Sequence, residues 1–232
     1  VVNILTGDAA AIGKALCESE DVRKISFTGS TRVGKILLSQ SADTVKKVSM
    51  ELGGNAPFIV FEDADFEEAL NLAIILRFHN TGQICVAANR ILVHKNIYDK
   101  FLKAYVKRAS ELKIGFGIKE NEDVFMGPLA SSEARDRMFE LVDDAVSKGA
   151  TLEYGGEIPE DLPKGGYWMK PTVVSGITTD MKLFREETFG PVAGIMSFDT
   201  DDEVLELAND TEFGLASYIF TNNHINQILG LS

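Results

Sequence analysis

This sequence predicts an α/β fold with doubly wound, parallel-type sheets, and two observations carry that expectation. Over the first fifty residues, short strand-like runs alternate with runs of helical period, giving strand, helix, strand, helix, strand with short connections. That order is the mark of a parallel sheet with crossover helices. Further apolar runs at 57–61, 90–94, 170–174, 192–198 and 216–220 continue it, with helical patterns between most of them.

Residues 1–5 are β-branched and apolar and read as a strand, turned by Thr6-Gly7-Asp8. Residues 9–17 place Ile12, Ala15 and Leu16 on one helical face. Cys17, near the end of that helix, reads as a small core hydrophobe. A strand over 24–27 leads through Thr28-Gly29-Ser30-Thr31 into a helix over 32–40 that turns Val33, Ile36 and Leu37 inward. Residues 46–50 are a strand again. Gly53-Gly54 is the proposed domain boundary, because paired glycines bend at little cost. It leaves one domain at 1–53 and another at 54–232.

In the second part, Asp65 with Glu68 three residues later marks a helix start carrying Phe66, Ala69, Leu70, Ala73 and Ile74. Asn96 is read as the cap of a helix with Tyr98, Phe101, Leu102, Tyr105 and Val106 at core spacing. Ser131 or Ser132 opens another, which ends at the C-capping Gly149. Residues 155–166, rich in Gly and Pro, read as a surface loop. Thr200 and Glu203 box the start of a helix through Val204, Leu205, Leu207 and Ala208. After a last strand the chain stops a short way into what reads as a further helix.

The net charge of −12 opposes binding to nucleic acid or to an anionic membrane, and no apolar run reaches membrane-spanning length. Two cysteines make no disulfide framework and point to a reducing, intracellular setting. There is no Cys-x-x-Cys, no His-Glu-x-x-His and no acidic loop with metal spacing, so no metal is expected. The first residue is not Met and the opening residues read as a strand already under way. The chain is therefore expected to be a segment of a longer protein.

Two residues far apart in sequence stand out chemically. Cys85 follows the polar turn Asn80-Thr81-Gly82-Gln83-Ile84, away from any periodic apolar face, as a nucleophile needs. Glu51 ends a strand beside Leu52-Gly53-Gly54, where a carboxylate can reach a water as general base. Upstream, Gly29 and Ser30 lie between a strand and a helix, with Gly34 five residues on. A glycine there lets a diphosphate approach the backbone, and the helix offers free N–H groups. His79, His94 and His224 leave a Cys–His pairing open in principle.

Phe27-Thr28-Gly29-Ser30, Met50-Glu51-Leu52-Gly53-Gly54, Asn80-Thr81-Gly82-Gln83-Ile84-Cys85 and Glu186-Glu187-Thr188-Phe189-Gly190-Pro191-Val192 together resemble the aldehyde dehydrogenase superfamily. The match is collinear over essentially all 232 residues, and residues 48–56 are most similar to the succinate-semialdehyde dehydrogenase branch. The resemblance implies that 1–53 closes a Rossmann-like NAD(P)-binding domain and that 54–232 is a catalytic domain incomplete at its C-terminus. It implies that Cys85 attacks an aldehyde and that a thioester forms once hydride has gone to NAD or NADP. Glu51 then activates the hydrolytic water, and the Cys85 N–H serves as an oxyanion donor. By the same resemblance Gly29, Ser30, Val33 and Gly34 lie against the cofactor diphosphate and adenosine. Leu52 meets the nicotinamide through its backbone, Glu187 holds the nicotinamide ribose, and Phe189 packs beside it. A small aldehyde substrate, a homo-oligomer and a cytoplasmic or organelle-matrix location are implied as well.

The sequence departs from that pattern in three ways. The family's upstream oxyanion asparagine and ribose-binding lysine, and its C-terminal oligomerising strand, have no counterpart in these residues. The arginine that the succinate-semialdehyde branch sets six residues before the cysteine, for the substrate carboxylate, is His79 here. The branch's second cysteine, two residues after the first, is Ala87. These residues alone are accordingly expected to show little activity. Two other classes share the same motifs: a non-catalytic binding module, and a cofactor-free thioester hydrolase using Cys85 and Glu51.

Overall fold

A computed structural model describes residues 2–117 and 123–223 of the chain. His224 and the helix expected to follow the last strand lie outside them. The chain divides into two compact units, Val1–Gly53 and Gly54–Ser232.

The first unit holds α1 (Ala9–Glu18), β1 (Lys24–Thr28), α2 (Thr31–Ser41) and β2 (Lys47–Glu51), with the two strands paired in parallel. Asp8 caps α1 by accepting from the Ala10 and Ala11 N–H groups, and Ser30 caps α2 by accepting from Val33 N–H. These cap bonds fix where each helix starts. Residues 2–5 form no strand, contrary to the expectation. β-branched composition specifies a strand only where a neighbour completes its ladder, and Val2, Ile4 and Leu5 are 88, 88 and 73 % exposed. Leu16 and Ile36, expected inward, are also largely exposed. They line an open cleft rather than a closed core.

The second unit is built on a six-stranded sheet, β5-β6-β7-β4-β3-β8. Its strands are β3 (Ala56–Val60), β4 (Ala88–His94), β5 (Thr151–Tyr154), β6 (Thr172–Ser175), β7 (Val192–Phe198) and β8 (Tyr218–Phe220). All pairs are parallel except β5 with β6. The sheet is thus of the expected parallel type, with the antiparallel β5 added at one edge. This strand follows α5 (Ser132–Ser147) through a turn at Gly149, whose φ is +98°.

Alternation along the strands sends side chains to both faces. Phe58, Val60, Ile91, Val93 and Ile195 meet α3 (Phe66–Phe78) and α4 (Lys95–Ser110) through Ala69, Leu70, Phe101 and Tyr105. On the other face, Ile59, Leu92 and Phe198 pack with Val204 of α7 (Asp201–Asn209). Val174 and Val192 pack with Leu141 of α5 and Phe184 of the single-turn α6 (Lys182–Arg185). The central strands are therefore apolar on both faces, as a sheet covered on each side must be.

Asp65, Ser131 and Thr200 cap α3, α5 and α7 as their sequence signals predict. The α4 cap is different: the His94 ring nitrogen, not Asn96, accepts from the Asn96 N–H at 3.3 Å. Arg90, on a central strand, is buried. It donates to the Leu207 and Ala208 carbonyls at 2.7 and 2.8 Å, satisfying the end of α7.

Candidate active site

The loop that carries Cys85 begins where α3 stops. Three residues in succession, Asn80, Thr81 and Gly82, take φ of 51, 60 and 71° within a short 3-10 turn over His79–Gly82. Left-handed backbone in Asn and Thr is held only where surrounding bonds fix it, and here they do. The Thr81 hydroxyl donates to the Gly127 carbonyl at 3.0 Å, and Gln83 Oε1 accepts from the Ala130 N–H at 2.9 Å. Asn80 Nδ2 donates to the Gln83 carbonyl at 3.1 Å, and the Tyr218 hydroxyl donates to the Val86 carbonyl at 2.8 Å. Burial first, and then the neighbouring Cys85, push the Tyr218 hydroxyl pKa up. The bond to Val86 anchors the phenol one residue beyond Cys85.

Cys85 is a free, half-buried thiol, whereas Cys17 is wholly buried with its sulfur 3.5 Å from the Ser41 hydroxyl. Gly54 comes so close to Cys85 that a Cβ there would sit 2.4 Å from the Cys85 carbonyl oxygen. Its carbonyl accepts from Asn89 Nδ2 at 3.1 Å, and its N–H donates to Glu187 Oε1 at 3.1 Å. Burial holds the Glu187 carboxyl above the ordinary glutamate range, with the Gly54 N–H and the Arg77 cation pulling it back. Phe189, two residues on, leaves 42 % of its surface open. Cys85, Gly54, Glu187 and Phe189 thus belong to one knot of loops within the second unit.

Sequence reasoning missed the centre of that knot. Arg77 is wholly buried on α3, and its guanidinium donates to backbone carbonyls on both sides of Cys85 and on both sides of Phe189. Burial pulls its pKa down to about 10, against the opposing influence of Tyr105 and Glu187, so it stays charged near neutrality. A signal existed: Arg77 falls on the same helical stripe as Leu70, Ala73 and Ile74, a core position at which a cation needs acceptors. Nothing in the sequence marked Tyr218 or Asn89.

His79 opens the turn that carries the Cys85 loop. It lines a cleft of about 570 Å3 with Ile84, Val124 and Pro128, its ring 6.5 Å from that of Phe125. His94 caps α4 and packs edge-on against Phe198, which commits it to structure rather than to a pairing with Cys85.

In the first unit the Gly29 N–H donates to the carbonyl of Glu51, the exposed last residue of β2, at 3.0 Å. Gly34 is buried against Leu52, whose Cδ2 would lie 2.5 Å from a Cβ. Phe27, Arg32 and Val33 line a cleft of about 810 Å3 together with Gly7, Ala10 and Ile12.

A model of the aldehyde dehydrogenase family matches residues 1–229. The chain belongs to that family. Its sequence is 49 % identical over 223 residues to the non-phosphorylating aspartate-semialdehyde dehydrogenase of Halomonas elongata, covering 96 % of this chain and 44 % of that protein. It is 49 % identical over 224 residues to succinate-semialdehyde dehydrogenase [NADP(+)] 2 of Schizosaccharomyces pombe, covering 96 % and 45 %. The solved succinate-semialdehyde dehydrogenase of Burkholderia pseudomallei superposes with a TM-score of 0.93 at 42 % identity, over 98 % of this chain and 46 % of that one. The chain thus spans less than half the length of these aldehyde dehydrogenases. Its α/β architecture is theirs, and among the described residues no helix is long and apolar enough to cross a membrane.

Proposed function

We propose that the protein carrying this chain oxidises a small aldehyde to its carboxylic acid with NAD or NADP, through a thioester on Cys85. The observation that carries this reading is the environment of Cys85. It is a half-buried free thiol on a strained, tightly bonded loop packed against Gly54, whose N–H holds the half-buried Glu187 carboxylate with acceptor capacity to spare. In the proposed chemistry the Cys85 thiolate adds to the carbonyl carbon, and the Cys85 N–H donates to the oxyanion. A bound dinucleotide would supply the acceptor for the hydride of this carbon. Glu51 takes a proton from the water that attacks the thioester, and the acid departs as the thiolate returns.

The residues present fit a dinucleotide. In the first unit, a serine-capped helix start, a strand-end glycine and an adjoining cleft of about 810 Å3 suit diphosphate and adenosine at Gly29, Ser30, Val33 and Gly34. In the second, Glu187 uses one lone pair on Gly54 and keeps others for ribose hydroxyls, with the open Phe189 ring alongside. On this reading residues 1–53 belong to a cofactor domain and 54–232 to the catalytic domain, and Leu52 meets the nicotinamide through its backbone. The full-length protein is a homo-oligomer in the cytoplasm or an organelle matrix.

The names of the relatives favour an aldehyde that also carries an acid group, aspartate or succinate semialdehyde among them. His79 stands where a guanidinium would hold that group, and a neutral imidazole gives no bidentate pairing. Succinate semialdehyde is therefore expected to have a high KM. The test is to follow reduced-cofactor absorbance with a panel of acidic and neutral aldehydes. Iodoacetamide labelling accompanies it, and Cys85 should be alkylated far faster than Cys17. Thioester hydrolysis without dinucleotide affinity, or equally slow labelling of both thiols, would overturn the reading.

A further inference from the structure

A cation with no access to water persists only where protein acceptors replace the water. Arg77 meets that condition through both of its Nη atoms, at two loops at once, and leaves Nε without an acceptor. Nη1 donates to the Ala88 carbonyl at 3.2 Å and to the Asn89 side-chain oxygen. Nη2 shares its hydrogens among the carbonyls of Gly82, Thr188 and Gly190, each at 2.9 Å. Gly82 and Ala88 stand three residues before and three after Cys85. Thr188 and Gly190 stand either side of Phe189, directly after Glu187. The loops also touch without room to spare, since a Cβ on Gly82 would lie 2.3 Å from the Gly190 carbonyl oxygen and 2.6 Å from Nη2. Through Asn89 the guanidinium reaches Gly54, whose N–H in turn holds Glu187.

We propose that Arg77 is a positioning residue that locks the Cys85 loop to the loop of Glu187 and Phe189, so that cofactor held at the second sets the thiol at the first. This rests on the proposed function. A planar fork is what the task needs, because its donors spread over carbonyls in several directions, whereas an ammonium is a single point. A merely structural arginine would lower stability on substitution without changing how cofactor and thiol communicate.

The test uses the intact protein. In the wild type, saturating NAD(P)+ should change the rate at which iodoacetamide alkylates Cys85. Arg77→Lys should keep its circular dichroism spectrum, raise the KM for NAD(P)+ by about tenfold, and lose the cofactor effect on alkylation. Combined with Glu187→Gln, its effect on that KM should be far from multiplicative, because the two act through one loop. A folded Arg77→Lys whose KM and alkylation response match wild type, or multiplicative effects in the double variant, would overturn the proposal. If Arg77→Lys does not fold, Asn89→Ala, which takes one acceptor from the same guanidinium, is judged by the same criteria. A wild type that binds no dinucleotide removes the proposed function and this inference together. A wild type that binds it, with unchanged variants, removes the inference alone.

Discussion

The sulfur of Cys85 and that of Cys17 sit in opposite surroundings, and two predictions follow at the level of single residues. Cys85→Ser should abolish aldehyde oxidation while moving the thermal midpoint by no more than about 1 kcal/mol of stability would, as expected for a half-buried loop residue. Steady-state assay and calorimetry check both parts. The second concerns Glu187, whose burial raises its folded-state pKa. Between the ordinary and the raised value the folded protein holds more protons than the unfolded chain, so this group's contribution to stability falls as pH rises through that window. Ligand binding has the opposite sense, because only the ionised carboxylate can accept from both ribose hydroxyls. The KM for NAD(P)+ should therefore rise as pH falls, with a limb above the free glutamate range. Glu187→Gln should remove that limb in a pH series of initial rates. Cys85 and Glu51 drew notice in the sequence because each stands beside glycines that announce an unusual backbone, and Glu187 because its motif resembles the family's. For Arg77 the core stripe of α3 signalled burial, but its partners are mostly backbone carbonyls, which carry no sequence signature.

Elements were legible where their ends are written in side chains. Asp65, Ser131 and Thr200 announce helix starts through their own oxygens, and Asp65→Ala should cost about 1 kcal/mol in chemical denaturation by removing the bond to the Glu68 N–H. The four-residue β5 and α6 were not legible, since neither is a continuous apolar run and so few residues show no period. The α4 cap was misread because His94 ends a strand and caps a helix at once. The turn at Gly82 carries the sharpest prediction at this scale. Gly82→Ala meets a left-handed φ of 71° and a carbonyl 2.3 Å away. It should lose about 2–4 kcal/mol of stability, measured by urea titration, and much of the activity.

Over the whole molecule the two units differ in what they bury. The larger encloses a sheet apolar on both faces. In the smaller, Cys17 and Ile25 are the buried hydrophobics among the described residues, beneath a sheet of two strands. Fifty or so residues with so little core are marginal. In the 232-residue chain, amides of β1 and β2 should exchange with deuterium far faster than those of β4 and β7, and denaturation should show two transitions. The alternation of strands and helices foretold the larger unit's layers. It misjudged residues 2–5, since a strand is defined by its neighbour as much as by its own composition.

Rims decide whether a folded sheet recruits strangers. In the six-stranded sheet one rim is a three-residue strand and the other a four-residue strand running against its partner. Each offers too short and too irregular a row of free amides to template fibril growth. Any clumping of this chain on storage should therefore start from its first fifty residues, and lysines placed at Val2 and Ile4 should slow it.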